Sequence, residues 1–370
     1  MTMLFDLTLP CIAHYAGKLL IKPHCVAPAC SPEFAFARFI TKIDNFPIEP
    51  SADIWAFGTA PFHIVSGYPL FNTHTGLPYV MVKMAGYVPS TWKNWYDNLS
   101  YPPDLFPGAA DNCGSGGSPV SIASTPTLPM LTPDDFYFQS KGMEDIIRYV
   151  PGGYHPIILE DILDGQYRIM TDESEAFVVV KVTTAESDVV HEVSMLRAVS
   201  SLHISTILDH FTLSGPNGTH SVLITDVVAP FLSVLSSTRF SRWRKSAAYG
   251  LAQAVMDLHT EGIVHADLRL GNVGLTIPQL AIKTHGACKT SRHTTLTLFY
   301  LYVLPTRPRP YLLTSLREMA RVNCGDDNDA DGLISLMRKV FVLDPEERIT
   351  AEQVVGNPWF ADVDTLELPA

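Results

Sequence analysis

Ile263-Val-His-Ala-Asp-Leu-Arg-Leu-Gly-Asn-Val273 decides the reading of this chain. It spells H-x-D-L-x-x-x-N, after a helix-like run that stops at Gly262. The spacing sets a carboxylate, Asp267, and a carboxamide, Asn272, on one tight loop. Phosphoryl transfer uses such a pair: one group orients the nucleophile's proton, the other holds a metal beside the phosphates. H-x-D alone is common on surface loops; the full string with a helix before it is much rarer.

The flanking segments extend the pattern. From Ser241 to His259, Ala247, Leu251 and Val255 share one helical face, with Ala248, Ala252 and Met256 beside them. Val178-Val-Val-Lys181-Val is a β-branched run with one lysine. Further on, Val189, Val193 and Leu196 fall at i, i+4 and i+7, which predicts an amphipathic helix carrying Glu192. Each charge alone reads as a solvated edge or helix face. In this order, before the H-x-D-L loop, Lys181 reads as a phosphate-gripping lysine and Glu192 as its partner. Strands are expected around 166–170, 177–182 and 221–227, and Thr225-Asp226-Val227 as a hinge.

Near the C-terminus, Leu343-Asp-Pro-Glu-Glu-Arg-Ile-Thr-Ala-Glu-Gln-Val-Val-Gly-Asn-Pro-Trp-Phe360 closely resembles the last helical segment of eukaryotic protein kinases. It speaks against small-molecule phosphotransferases, which share the H-x-D-x-x-x-x-N loop. Tyr149-Val-Pro-Gly-Gly-Tyr-His-Pro156 before Gly165-Gln-Tyr-Arg-Ile169, and Gly215-Pro-Asn-Gly-Thr-His220 before Leu223-Ile-Thr-Asp226, resemble the SR-protein kinase family, especially its fungal members. The resemblance covers about residues 133–360, with gaps. It implies an α+β, protein-kinase-like two-lobed fold with missing segments: a small β-rich lobe and hinge (133–230), then a helical large-lobe part (231–360) and a tail (361–370).

The activity implied is transfer of the γ-phosphoryl of Mg·ATP to a Ser or Thr hydroxyl. The resemblance gives Lys181 the phosphates, Glu192 the positioning of Lys181, Asp267 the hydroxyl and Arg269 the transferring charge. Asn272 would bind Mg²⁺, and the backbone of Asp226 and Val227 would meet adenine. Ser/Arg-rich proteins are the substrate class it implies.

Pro50-Ser-Ala-Asp53-Ile-Trp55-Ala-Phe-Gly58 resembles the central D-x-W-x-x-G helix of a kinase large lobe, and Thr91-Trp-Lys-Asn-Trp95 the segment after it. In the family these pieces follow the catalytic loop; here residues 36–106 come first. Either this fragment folds back to fill the large lobe, with Asp53 bonded to the catalytic-loop backbone, or it belongs to another unit. Pro61 inside the helix is expected to cost ~3 kcal/mol and to kink it. Residues 1–35 carry no assigned motif. Residues 107–132, rich in Gly, Ser, Pro and Thr, read as a flexible linker. Residues 281–313 read as an irregular Pro-rich insert, and 316–341 as paired helices.

Three parts of the pattern are absent in sequence order. No glycine occurs between Gln166 and Ser214, and Thr171-Asp-Glu-Ser-Glu-Ala176 holds three acids where a phosphate-covering hairpin needs glycines. At ~4 Å and an effective dielectric of ~20, each like-charge pair costs about 4 kcal/mol before screening. No Asp or Glu follows Asn272 until Glu318, so the metal-binding D-F-G is missing there. No A-P-E follows, which leaves Arg348 without its family partner, either to pair with another acid or to face solvent. Ala266 stands where many kinases place Arg, and Arg269 where Lys is common. These losses set a catalytically impaired kinase against a scaffold-type pseudokinase or an incomplete gene product.

Composition bounds the remaining classes. The 370 residues are 46% hydrophobic, enough for a sizeable core. A net charge of −12 argues against phosphate-driven nucleic-acid binding. No run of eighteen apolar residues predicts a membrane span. The six cysteines have no zinc-finger spacing and read as free thiols. With no signal-peptide pattern, the cytoplasm or nucleus is the expected compartment.

Overall fold

The computed structural model describes residues 3–5, 13–14, 20–21, 29–43, 46–66, 69–71, 77–99, 146–169, 178–187, 189–231, 244–276, 320, 324 and 326–363. The linker 107–132, the acidic stretch Thr171–Ala176 and the insert 281–313 lie outside them.

The first strands are short: β1 (Met3–Phe5), β2 (Ala13–His14), β3 (Leu20–Ile21) and β4 (Phe46–Pro47). Between β3 and β4 stands α1 (Pro32–Phe36). The helices α2 (Pro50–Ser66), α3 (Leu77–Ala85) and α4 (Lys93–Asp97) follow. Every residue from Ala52 to Phe62 is buried, so α2 is enclosed on all sides rather than lying on the surface. That enclosure accounts for the assigned helix running unbroken through Pro61: core packing on every face outweighs the lost N–H.

The small lobe begins with the hairpin of β5 (Ile162–Leu163) and β6 (Tyr167–Arg168). Its turn carries Asp164 and Gly165 at φ 48° and 67°, the left-handed pair a tight hairpin wants. Next come β7 (Val179–Val182), α5 (Val190–Ala198), β8 (Ile207–Gly215) and β9 (Gly218–Thr225). They give an antiparallel sheet of order β7-β9-β8, with Lys181 opposite Leu223. The strand expected at 177–182 is β7, and that at 221–227 is the end of β9. The one expected at 166–170 shrinks to two residues because its pairing stops with the short β5.

From Asp226 and Val227 the chain passes to β10 (Val228–Pro230), then α6 (Arg244–Thr260), β11 (Ile263–Val264) and β12 (Val273–Thr276). Last are α7 (Asp327–Val340) and α8 (Ala351–Val355), the latter opened by a Thr350–Gln353 capping box. Of the paired helices expected over 316–341, α7 is the described one.

The N-terminal strands pair with the far end of the chain. β1 runs antiparallel to β12, with Phe5 opposite Val273, and β10 takes the other edge. β2 pairs with β11, which leads into the H-x-D-L loop. α2 packs on α6 and α7. Trp55 meets Phe341 edge-on with ring centroids 4.9 Å apart. A Cβ on Gly58 would stand 2.4 Å from Val340 Cγ1, so glycine is what lets α2 approach α7. One contiguous core holds Trp55, Phe57, Leu251, Leu258, Leu268 and Phe341 and extends to Val193, Leu196 and Leu223 of the small lobe. At the junction of the lobes, Asp257 of α6 accepts from Ser201 Oγ (2.5 Å) and lies 3.2 Å from His203 Nδ1.

Candidate active site

The H-x-D-L loop is held from both sides. Asp53, in the first turn of α2, accepts from the backbone N–H of His265 (2.6 Å) and of Ala266 (2.9 Å). His259 Nε2 of α6 approaches the same carboxylate at 3.2 Å. Ala266 has φ 66°, a left-handed conformation that costs a non-glycine residue of order 1–2 kcal/mol. The two bonds to one buried carboxylate fix that conformation. Burial pushes the Asp53 carboxyl up. The His259 hydrogen bond, the charges of His259 and His265 and the His265 N–H together outweigh it and hold the group below its usual range.

Within the loop, Asn272 Nδ2 donates to Asp267 O (2.6 Å) and to Asp267 Oδ2 (3.0 Å). Arg269 Nε donates to the same Oδ2 (3.2 Å), and the Asp267 N–H donates to His265 Nδ1 (3.2 Å). Asp267 is thereby oriented by a carboxamide on one side and a guanidinium on the other. The Asn272 bonds use its nitrogen, so its carbonyl oxygen remains a possible cation ligand.

Lys181 lies half-buried on β7, and Glu192 lies on α5, but the Glu192 side chain is outside what is described, so their pairing rests on the strand and helix alone. Asp226 and Val227 connect β9 to β10 at the lobe boundary, and burial pushes the Asp226 carboxyl up. Among the described residues, no group of three His, Cys, Asp or Glu could hold a metal ion. Asn272 by itself offers one neutral oxygen, an incomplete set for Mg²⁺.

Of the two expectations for Arg348, pairing with another acid is the outcome: its Nη1 and Nη2 donate to Glu33 Oε1 (3.1 Å) and Oε2 (3.0 Å), and its Nε to Val342 O (2.9 Å). Glu33 sits in Ser31-Pro32-Glu33, within the region that carried no motif; that S-P-E string was the available signal. Cys30 beside it is disulfide-bonded, so the reading of all six cysteines as free thiols fails there. Cys324 is free.

Comparison with known proteins finds kinases. No family model matches the chain. It is 23% identical over 220 residues to serine/threonine-protein kinase spk-1 of Caenorhabditis elegans, covering 50% of this chain and 21% of that protein. It is 23% identical over 205 residues to human SRSF protein kinase 3, covering 46% and 36%. Over 87 residues it is 37% identical to protein kinase dsk1 of Schizosaccharomyces pombe, covering 22% and 16%. The fold is that of a two-lobed protein kinase, and the curated relatives are SR-protein kinases. The matched stretches span between 16% and 36% of those three proteins. No described helix is long and apolar enough to cross a membrane.

Proposed function

We propose that this chain is a serine/threonine protein kinase of the SR-protein kinase type, with an intact proton-handling loop and a weak grip on nucleotide. The observation that carries this is the Asp267–Arg269–Asn272 cluster, hydrogen-bonded internally, on a loop whose preceding residues His265 and Ala266 are anchored through their backbone to Asp53. Asp267 would orient the hydroxyl of a Ser or Thr in a protein substrate and take its proton. Arg269 would face the charge that develops on the phosphoryl group, and Lys181, set by Glu192, would hold phosphate oxygens. Asp226 and Val227 would present backbone groups to adenine. Mg·ATP, when bound, supplies the transferable phosphoryl group and a cation that neutralises its charge.

The weak grip is supported by the glycine-free, acidic stretch between β6 and β7. That same stretch favours a second reading, a scaffold that binds a protein partner without turnover. A radiolabelled transfer assay with Mg·ATP and a Ser/Arg-rich protein separates the two. Slow transfer, a high KM for ATP and loss of activity in Asp267→Ala support the kinase; no transfer above the Asp267→Ala background supports the scaffold. By the same resemblance the protein would act in the cytoplasm or nucleus on a protein, not on nucleic acid.

A further inference from the structure

Gly271 stands in the middle of the loop, and its backbone does not require glycine. It is not among the described residues with positive φ, and the short turn Leu270–Asn272 accommodates alanine. What the position lacks is space. A Cβ built there would lie 2.6 Å from Arg269 NH1 and 3.5 Å from its Cζ. The Arg269 guanidinium occupies the place of the missing side chain, with Nε turned inward to Asp267 Oδ2. Its terminal nitrogens have no hydrogen bond to the described residues, and the side chain is 36% exposed. One edge of the guanidinium is thus fixed, and the other is free for an anion.

We propose that Gly271 is a positioning residue: its missing Cβ forms the seat that aligns Arg269 beside Asp267 toward a transferring phosphoryl group. This rests on the proposed phosphotransfer. A guanidinium is broad and planar, whereas an ammonium is compact. An arginine at 269 in this arrangement fills the space of the missing Cβ, so a side chain at 271 would turn its flexible end aside, whereas a compact lysine head is free of that contact. The seat makes the fork available for two parallel bonds to phosphate oxygens, with little freedom left to lose on binding.

The test compares wild type, Gly271→Ala, Arg269→Lys and the double variant Arg269→Lys/Gly271→Ala. Gly271→Ala is expected to lower kcat at least about tenfold, because a displacement of 1 Å can cost 10²-fold, with KM for ATP little changed. The double variant is expected to match Arg269→Lys, since a lysine does not need the seat. An activity-free readout is the Arg269 Nε–H resonance of ¹⁵N-arginine protein, assigned by its absence in Arg269→Lys. It is expected to exchange slowly in wild type and like an exposed arginine in Gly271→Ala. Equal kcat and equal exchange in wild type and Gly271→Ala would overturn the proposal. If wild type transfers no phosphate, the kinase reading falls while the resonance still decides whether the seat exists.

Discussion

Arg348 and Glu33, 315 positions apart, form a two-armed ion pair in which the guanidinium is fully buried. The same guanidinium donates to Ser51 O and lies 5.4 Å from the Trp55 ring centroid. One side chain thus ties α1 and α2 to the C-terminal helices. Removing one partner leaves the other buried without compensation. Arg348→Ala is expected to lose about 3–5 kcal/mol in denaturant unfolding. Arg348→Lys should recover little of it, because an ammonium cannot bridge both carboxylate oxygens and the carbonyls.

Gly58 tests the helix contact. Alanine there forces a Cβ into Val340 and Phe341, and overpacking of this kind costs about 1–3 kcal/mol. Gly58→Ala combined with Val340→Ala should be less destabilising than the sum of the two, a coupling that a double-mutant cycle reads.

His63 gives the fold an acid sensitivity. Burial holds its imidazole down to about 4, against an ordinary 6.5. The unfolded chain takes up this proton near pH 6.5 and the folded chain only near pH 4, so stability falls as pH drops through that window. The loss amounts to about 3 kcal/mol across it. Urea unfolding of wild type and His63→Gln at pH 7 and pH 4.5 should show a smaller acid-induced drop for the variant.

Cys324 should be a poor nucleophile. Burial, then the charge and hydrogen bond of Asp329, push its thiol up to about 12. Alkylation by iodoacetamide at pH 8 should therefore be far slower than for a free thiol of ordinary acidity, and Asp329→Asn should speed it.

What the sequence makes legible follows chain distance. The H-x-D-L-x-x-x-N loop is eight contiguous residues, His265 to Asn272, and its internal bonds join residues at most five apart. The α2 helix was readable from D-x-W-x-x-G, and β7 from its β-branched run. Glu33 was not, because S-P-E is three residues long and its partner is 315 positions away. Nor were β1 and β2, at three and two residues too short for any periodicity. They form because β12 and β11 offer strand edges whose N–H and C=O groups need partners. Segment order hid Glu33 further: the acidic partner of Arg348 stands near the start of the chain rather than after Asn272.

The most direct measurement is amide hydrogen exchange at His265 and Ala266 in the full chain and in Asp53→Ala. Asp53 keeps its charge, and with it both backbone bonds, at any pH above the ordinary carboxyl value of 3.8, so the comparison is made at pH 7. Two strongly protected amides in wild type, both exposed to fast exchange in Asp53→Ala while amides of β9 stay protected, is the expected result. Equal exchange at 265 and 266 in the two proteins would contradict the account, because the loop would then hold its shape without the N-terminal segment.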